Sequence, residues 1–225
     1  MKLVMFDIDG TLTNTYVSDE NEFVRAIKEV LGLPSINTDW ASYHHVTSEG
    51  VLNEIALAQL GRPVSRAESR AVQRRLVELL SGPRIAEIPG AGAFLRRLRE
   101  LGYAVSLASG DWEYSARHKL TAAALPVDGL PAAFCDSADA RTEIMRHSQR
   151  RALRHYRCER FDQTVYVGDA GWDVRASAEL GWDFVGIESG PAPSRLRALG
   201  VRHVFPDYRT SEALLAALDA AGASS

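Results

Sequence analysis

The chain opens on an apolar run, Leu3-Val4-Met5-Phe6, that delivers two carboxylates, a glycine and a hydroxyl within five positions, at Asp7, Asp9, Gly10 and Thr11. Such a run predicts a buried strand. Side chains alternate along a strand, so Asp7 and Asp9 fall on one face, and Gly10 lets the backbone turn away. Taken alone, Asp9-Gly10 is also a common turn pair. The device returns near the end, where Val165-Tyr166-Val167-Gly168 leads into Asp169 and Asp173 follows four positions later. In an α/β protein, acids at the C-terminal ends of strands stand where such folds bind ligands, in the crevice beyond the sheet edge.

From Pro89 onward the pattern alternates between helix and strand. Strands are predicted over 103–108, 132–135, 164–167, 183–187 and 203–205, separated by helical stretches over about 112–124, 142–156, 171–181, 193–199 and 210–221. Alternation on this scale predicts an α/β fold: a Rossmann-like, doubly wound parallel sheet with helices on both faces. Residues 16–87 read differently. Phe23, Ala26, Ile27, Val30 and Leu31 mark one helical face, a second helix is expected from Thr47 or Ser48 to Leu60, and Ser65-Arg66-Ala67-Glu68 has the pattern of a capping box opening a third. Ser81-Gly82-Pro83 closes the segment. The expected organisation is therefore a discontinuous core, 1–15 and 88–225, with a helical domain inserted over 16–87.

Composition excludes several classes. With 225 residues, 46% hydrophobic and 24% charged, the chain can bury a sizeable core, and its net charge of −3 gives no polyelectrolyte signal. No apolar run approaches a membrane span and the N-terminus is unlike a signal peptide, so a cytoplasmic location without membrane association is expected. Cys135 and Cys158 lack metal or disulfide spacing and read as packing residues. Arg62, Arg66, Arg70 and Arg74, and the seven arginines of 141–160, lack interleaved aromatics and read as solvated helix faces, so no nucleic-acid partner is expected.

The string Asp7-Ile8-Asp9-Gly10-Thr11-Leu12-Thr13 resembles the first motif of the haloacid dehalogenase-like hydrolases, a family made up mostly of phosphatases. Ser106-Leu107-Ala108-Ser109-Gly110 resembles the second motif, an apolar strand ending in a hydroxyl, and Gly168-Asp169 with Asp173 resembles the fourth. The third motif is a basic side chain near the start of the preceding helix, usually lysine. Arg141, 28 positions before Asp169, matches it best, whereas Lys119 falls mid-helix and reads as a surface residue.

The resemblance, closest to a phosphoglycolate phosphatase-like subgroup, implies Mg²⁺ held by Asp7, Asp169, a backbone carbonyl near Asp9 and, directly or through water, Asp173. It implies Asp7 as nucleophile, Asp9 as acid and base, and Ser109, Arg141 and the backbone around Gly10 and Gly110 as phosphate ligands. It also implies that the inserted helices are a cap over the active site. The expected activity is hydrolysis of a small phosphorylated metabolite, phosphoglycolate-like or a sugar phosphate, through an aspartyl-phosphate.

Alternatives are a phosphomutase with the same residues, or a phosphate-binding regulatory module. A dehalogenase would have no use for Asp9, and a phosphonatase would need a cap lysine, for which the segment offers only Lys28. The polar stretch Tyr43 to Gly50 is the candidate for substrate contacts from the cap, with His44 and His45 read as core or surface residues rather than ligands.

Overall fold

The computed structural model describes residues 1–82, 85–190 and 194–220, with the side chains of Tyr16 and Val17 left aside. Pro83, the outer ends of the helices expected over 193–199 and 210–221, and the small-residue tail after Ala220 lie outside that range. Six strands form one sheet: β1 (Lys2–Phe6), β2 (Ala104–Ala108), β3 (Ala132–Ala133), β4 (Gln163–Gly168), β5 (Asp183–Ile187) and β6 (Val204–Phe205). Their order is β3-β2-β1-β4-β5-β6 and every pairing is parallel.

This is the doubly wound arrangement, with the strand order reversing between β1 and β4. In register, Leu3 pairs with Ala104 on one side and Thr164 on the other, which brings the ends of β1, β2 and β4 to one edge. Nearly every residue of these three strands is buried, on both alternating faces, so layers cover the sheet from either side. Helices α4 (Ala91–Glu100) and α6 (Arg141–Tyr156) pack on β2, and α7 (Gly171–Leu180) packs on β4 and β5. α5 (Glu113–Ala122), α8 (Arg195–Ala198) and α9 (Ser211–Ala220) are the other described α-helices after α4.

Between β1 and α4 lie α1 (Tyr16–Leu31), α2 (Ser48–Leu60) and α3 (Arg66–Leu80), with a short 3₁₀ turn at Trp40–Ser42. α1 starts at Tyr16, ahead of the apolar face that begins at Phe23. It buries Phe23, Ala26 and Ile27 and packs against α3. The capping box at Ser65 and Glu68 is formed, with Ser65 Oγ accepting from Glu68 N–H and Glu68 Oε2 accepting from Ser65 N–H. The two chain segments joining these helices to the sheet run antiparallel. Thr13 bridges Glu87, Asn14 N–H donates to Ala86 O at 3.0 Å, and Ile88 N–H donates to Leu12 O at 2.8 Å. Among the described residues no helix is long and apolar enough to cross a membrane.

Candidate active site

Asp7 extends β1 by one step, its N–H donating to Val167 O at 2.9 Å, so its side chain emerges at the point where the strand order reverses. The backbone then folds tightly, with the N–H groups of Leu12 and Thr13 both donating to Ile8 O. Gly10 has φ of +70°, a conformation that L side chains rarely adopt. A β-carbon on Gly10 would lie 2.6 Å from Asp169 Cγ, so the absence of a side chain lets the first loop meet the end of β4. The Gly10 N–H itself is committed to Thr13 O at 2.9 Å; close approach, and not donation, is what this residue supplies.

Oxygens of Asp7, Asp169 and Asp173 lie within 4.8 Å of one another, all three residues buried. Arg141, at the first position of α6, stands between two of them, its Nη1 3.0 Å from Asp173 Oδ1 and 3.5 Å from Asp7 Oδ1. Neither contact is aligned as a hydrogen bond. Those two oxygens, with Arg141 Nη1 and Nε, are buried without a hydrogen-bonding partner. Asp173 Oδ2 accepts from Ala170 N–H at 3.3 Å, so this acid both anchors the start of α7 and faces the cluster.

Burial, with the charge of Asp173 next, pushes Asp7 up to about 8 against the pull of Arg141. Burial and the neighbouring carboxylates raise Asp169 well above the usual carboxylate range, and burial raises Asp173. Three carboxylates thus share one guanidinium. A hard divalent cation such as Mg²⁺, which takes oxygen ligands from a few carboxylates, fits this donor set and its two unpaired oxygens.

The side chain of Asp9 belongs to a second cluster, with Asp19 on α1 and Asp111 after β2. At its centre stands Lys119, fully buried on α5 and not on the surface as its mid-helix position suggested. Its Nζ lies 2.6 Å from Asp9 Oδ2 and 2.8 Å from Asp19 Oδ1, and it donates to Asp111 Oδ2 as well. The physical reason for the difference is convergence. Each carboxylate comes from a different chain segment, and together they offset the cost of taking an ammonium out of water.

Burial works to raise Asp9, but Lys119 and hydrogen bonds from its neighbours overcome it and hold this carboxyl below its usual range. Burial raises Asp19 to about 6 and Asp111 well above the ordinary carboxylate range. Thr15 Oγ1 donates to the other oxygen of Asp9.

Between the sheet edge and the inserted helices lies a cavity of about 110 Å³. Asp7, Asp9, Ser109, Gly110, Arg141 and Asp169 line its floor, six of the eight residues expected in the site; Gly10 does not line it, and Asp173 stands behind Arg141. Ser109 is buried and its Oγ accepts from Asp111 N–H at 3.3 Å. Phe23, Trp40, Val46, Ser48 and Val51 form the opposite wall, with Trp172 at the side.

The stretch 43–50 meets the core directly. Ser48 N–H donates to Gly110 O at 2.8 Å, Arg141 Nη2 donates to Val46 O at 3.3 Å, and Trp112 Nε1 donates to Glu49 Oε2 at 2.6 Å. His44 and His45 are outside the cavity lining, and their N–H groups donate to Glu54. Lys28 is exposed and, among the described residues, is likewise absent from the lining. Arg62, Arg66, Arg70 and Arg74 are all exposed.

A family model described as haloacid dehalogenase-like hydrolase matches residues 1–181. Comparison with curated protein sequences returns no match. Among solved structures, the chain is similar to a putative beta-phosphoglucomutase from Bacteroides vulgatus, with TM-score 0.71, 17% identity, and 98% of this chain and 90% of that chain covered. It is similar to a predicted phosphoglycolate phosphatase from Haemophilus somnus, with TM-score 0.64, 18% identity, and coverage of 96% and 98%. A hydrolase from Pseudomonas syringae gives TM-score 0.69 and 18% identity, with coverage of 92% and 94%.

Proposed function

The chain belongs to the haloacid dehalogenase-like hydrolases, and we propose that it is a Mg²⁺-dependent phosphatase acting on a small phosphate monoester through an aspartyl-phosphate. The observation that carries the proposal is the placement of Asp7 beside Asp169 and Arg141 at the sheet's point of reversal, on the floor of a cavity that Asp9 also lines.

A divalent cation held by Asp7, Asp169 and Asp173, with the carbonyl at Asp9, would neutralise charge and keep Asp7 as the anion that attack requires. The remaining steps belong to the chain's own residues. Arg141, with two buried nitrogens lacking an acceptor, and the Ser109 hydroxyl bind the phosphoryl oxygens. A carboxylate oxygen of Asp7 bonds to phosphorus as the ester P–O bond breaks, and a proton that Asp9 takes up from solvent, against the pull of Lys119, passes to the leaving alkoxide. Water then loses its proton back to Asp9, bonds to phosphorus and displaces Asp7. Ester and water are consumed; alcohol and phosphate are released.

The two acids take different parts and stand in different surroundings. Asp7 faces carboxylates and Arg141, while Asp9 is turned toward Lys119 and Thr15. The helices of 16–87 serve as a cap in this proposal, closing the cavity with Phe23, Trp40, Val46 and Val51 so that water is excluded around the phosphate. Phosphoglycolate-like and sugar-phosphate monoesters are the first candidates. A screen of phosphorylated metabolites with magnesium tests the proposal: release of phosphate from at least one small monoester is expected. A folded protein that releases none, from an activated aryl phosphate included, would overturn it.

A further inference from the structure

We propose that Lys119 is a positioning residue for Asp9, fixing the orientation of that carboxylate and tying it to the inserted helices through Asp19. The proposal rests on the assignment of Asp9 as the acid and base of a phosphatase. A lysine ammonium has three N–H donors and no acceptor. Here each donor has one carboxylate: Asp9 Oδ2 at 2.6 Å, Asp19 Oδ1 at 2.8 Å and Asp111 Oδ2. The three acceptors come from the loop after β1, from α1 and from the loop after β2, so the side chain ties three separate segments at one point.

Both oxygens of Asp9 are fixed by this arrangement. Oδ2 is held by Lys119 and Oδ1 by Thr15 Oγ1, itself 2.6 Å from Thr13 Oγ1. The carboxylate therefore sits with Asp19 and Asp111, apart from the cluster of Asp7, Asp169 and Asp173, while still lining the cavity. An acid that must meet a leaving oxygen, and not the cation, needs that separation. The acidic trio around Lys119 already has its cation, the ammonium, and it is not a second metal site. Nor is Lys119 a phosphate ligand, because its donors are taken and it does not line the cavity. Because Asp19 belongs to α1, a movement of the inserted helices away from the sheet would pull one acceptor from Lys119 and loosen Asp9. Acid placement is thereby linked to closure.

The consequence is dependence on the leaving group. A 4-nitrophenolate departs with little need of a proton, whereas an alkoxide needs one, so a misplaced Asp9 harms alkyl phosphates more. The test compares kcat and KM of the full chain with magnesium on 4-nitrophenyl phosphate and on an alkyl phosphate, for wild type, Lys119→Met and Asp19→Ala, with inorganic phosphate as inhibitor. Lys119→Met is expected to lower kcat on the alkyl ester at least about tenfold more than on the aryl ester, with the inhibition constant of phosphate within about threefold of wild type. Asp19→Ala is expected to give a smaller loss of the same kind, and it decides the matter if circular dichroism shows that Lys119→Met does not fold.

Equal losses on both esters would make Lys119 a merely structural residue, and a large rise in the phosphate inhibition constant would make it a phosphate ligand. Either result overturns the proposal. A wild-type protein inert on both esters would instead overturn the phosphatase assignment on which it stands.

Discussion

Gly10 and Asp169 approach so closely that a β-carbon on the glycine would fall well inside van der Waals contact distance of the carboxylate, 2.6 Å from its Cγ. The loop after β1 and the end of β4 are thus fitted to one another at the point where the strand order reverses. Gly10→Ala strains a residue at φ +70° and also pushes Asp169 from its place. Loss of kcat by about a hundredfold, some 2.7 kcal/mol of barrier, is expected, together with a higher magnesium requirement. A magnesium titration of activity checks this. An unchanged magnesium midpoint would show that the packing of Gly10 on Asp169 does not matter to the metal.

Arg141 is buried beside Asp7 and Asp173 with donors to spare. If it neutralises the bound phosphoryl group, Arg141→Ala should weaken orthovanadate inhibition by about 2 kcal/mol, the range of a charge-assisted hydrogen bond, or roughly thirtyfold. Lys119→Met should change it little. The reverse pattern would move the phosphate ligand from α6 to α5.

Substrate preference should lie in the wall formed by the inserted helices. Val46 and Ser48 face the cavity from the segment that touches Gly110 and Arg141 through backbone atoms, so their side chains can vary without breaking those contacts. Replacing Val46 by Thr and Ser48 by Val should reorder preference among phosphate monoesters and leave 4-nitrophenyl phosphate within about tenfold, roughly 1.4 kcal/mol of barrier. Equal loss on every substrate would mean that the segment is structural.

Much of this site is legible before any coordinates. Asp7 and Asp169 stand out because each follows an apolar run, and an acid just past a buried strand has few structural reasons to be there. Arg141 can be found from its match to the resembled family's third motif, a basic side chain near the start of the helix before β4, and the capping box at Ser65 from four residues. Lys119 could not be placed in the same way. A lysine in the middle of a helix is solvated by default, and only the meeting of Asp9, Asp19 and Asp111 from segments far apart in sequence makes a buried one stable. Asp19 and Asp111 are equally silent alone, since each stands close to a helix start where an acid is favoured in any protein. A faint signal was present in Ser115 and Ala116, small residues near Lys119 on the buried side of α5. The tight commitment of the Gly10 N–H to Thr13 O was also illegible, because turn geometry, and not residue type, decides where that hydrogen points.

The proposed part of Asp7 as the nucleophile of a magnesium-dependent phosphatase is tested by phosphate release from 4-nitrophenyl phosphate by wild type and Asp7→Asn, each with magnesium and with a chelator. The substitution keeps the size of the side chain and removes the anionic oxygen that would bond to phosphorus. Wild type should release phosphate only with magnesium. Asp7→Asn should be slower by about a thousandfold or more, some 4 kcal/mol of barrier, with the circular dichroism spectrum of the wild type. An Asp7→Asn protein that keeps its fold and turns over at a rate near wild type would show that Asp7 is not the nucleophile.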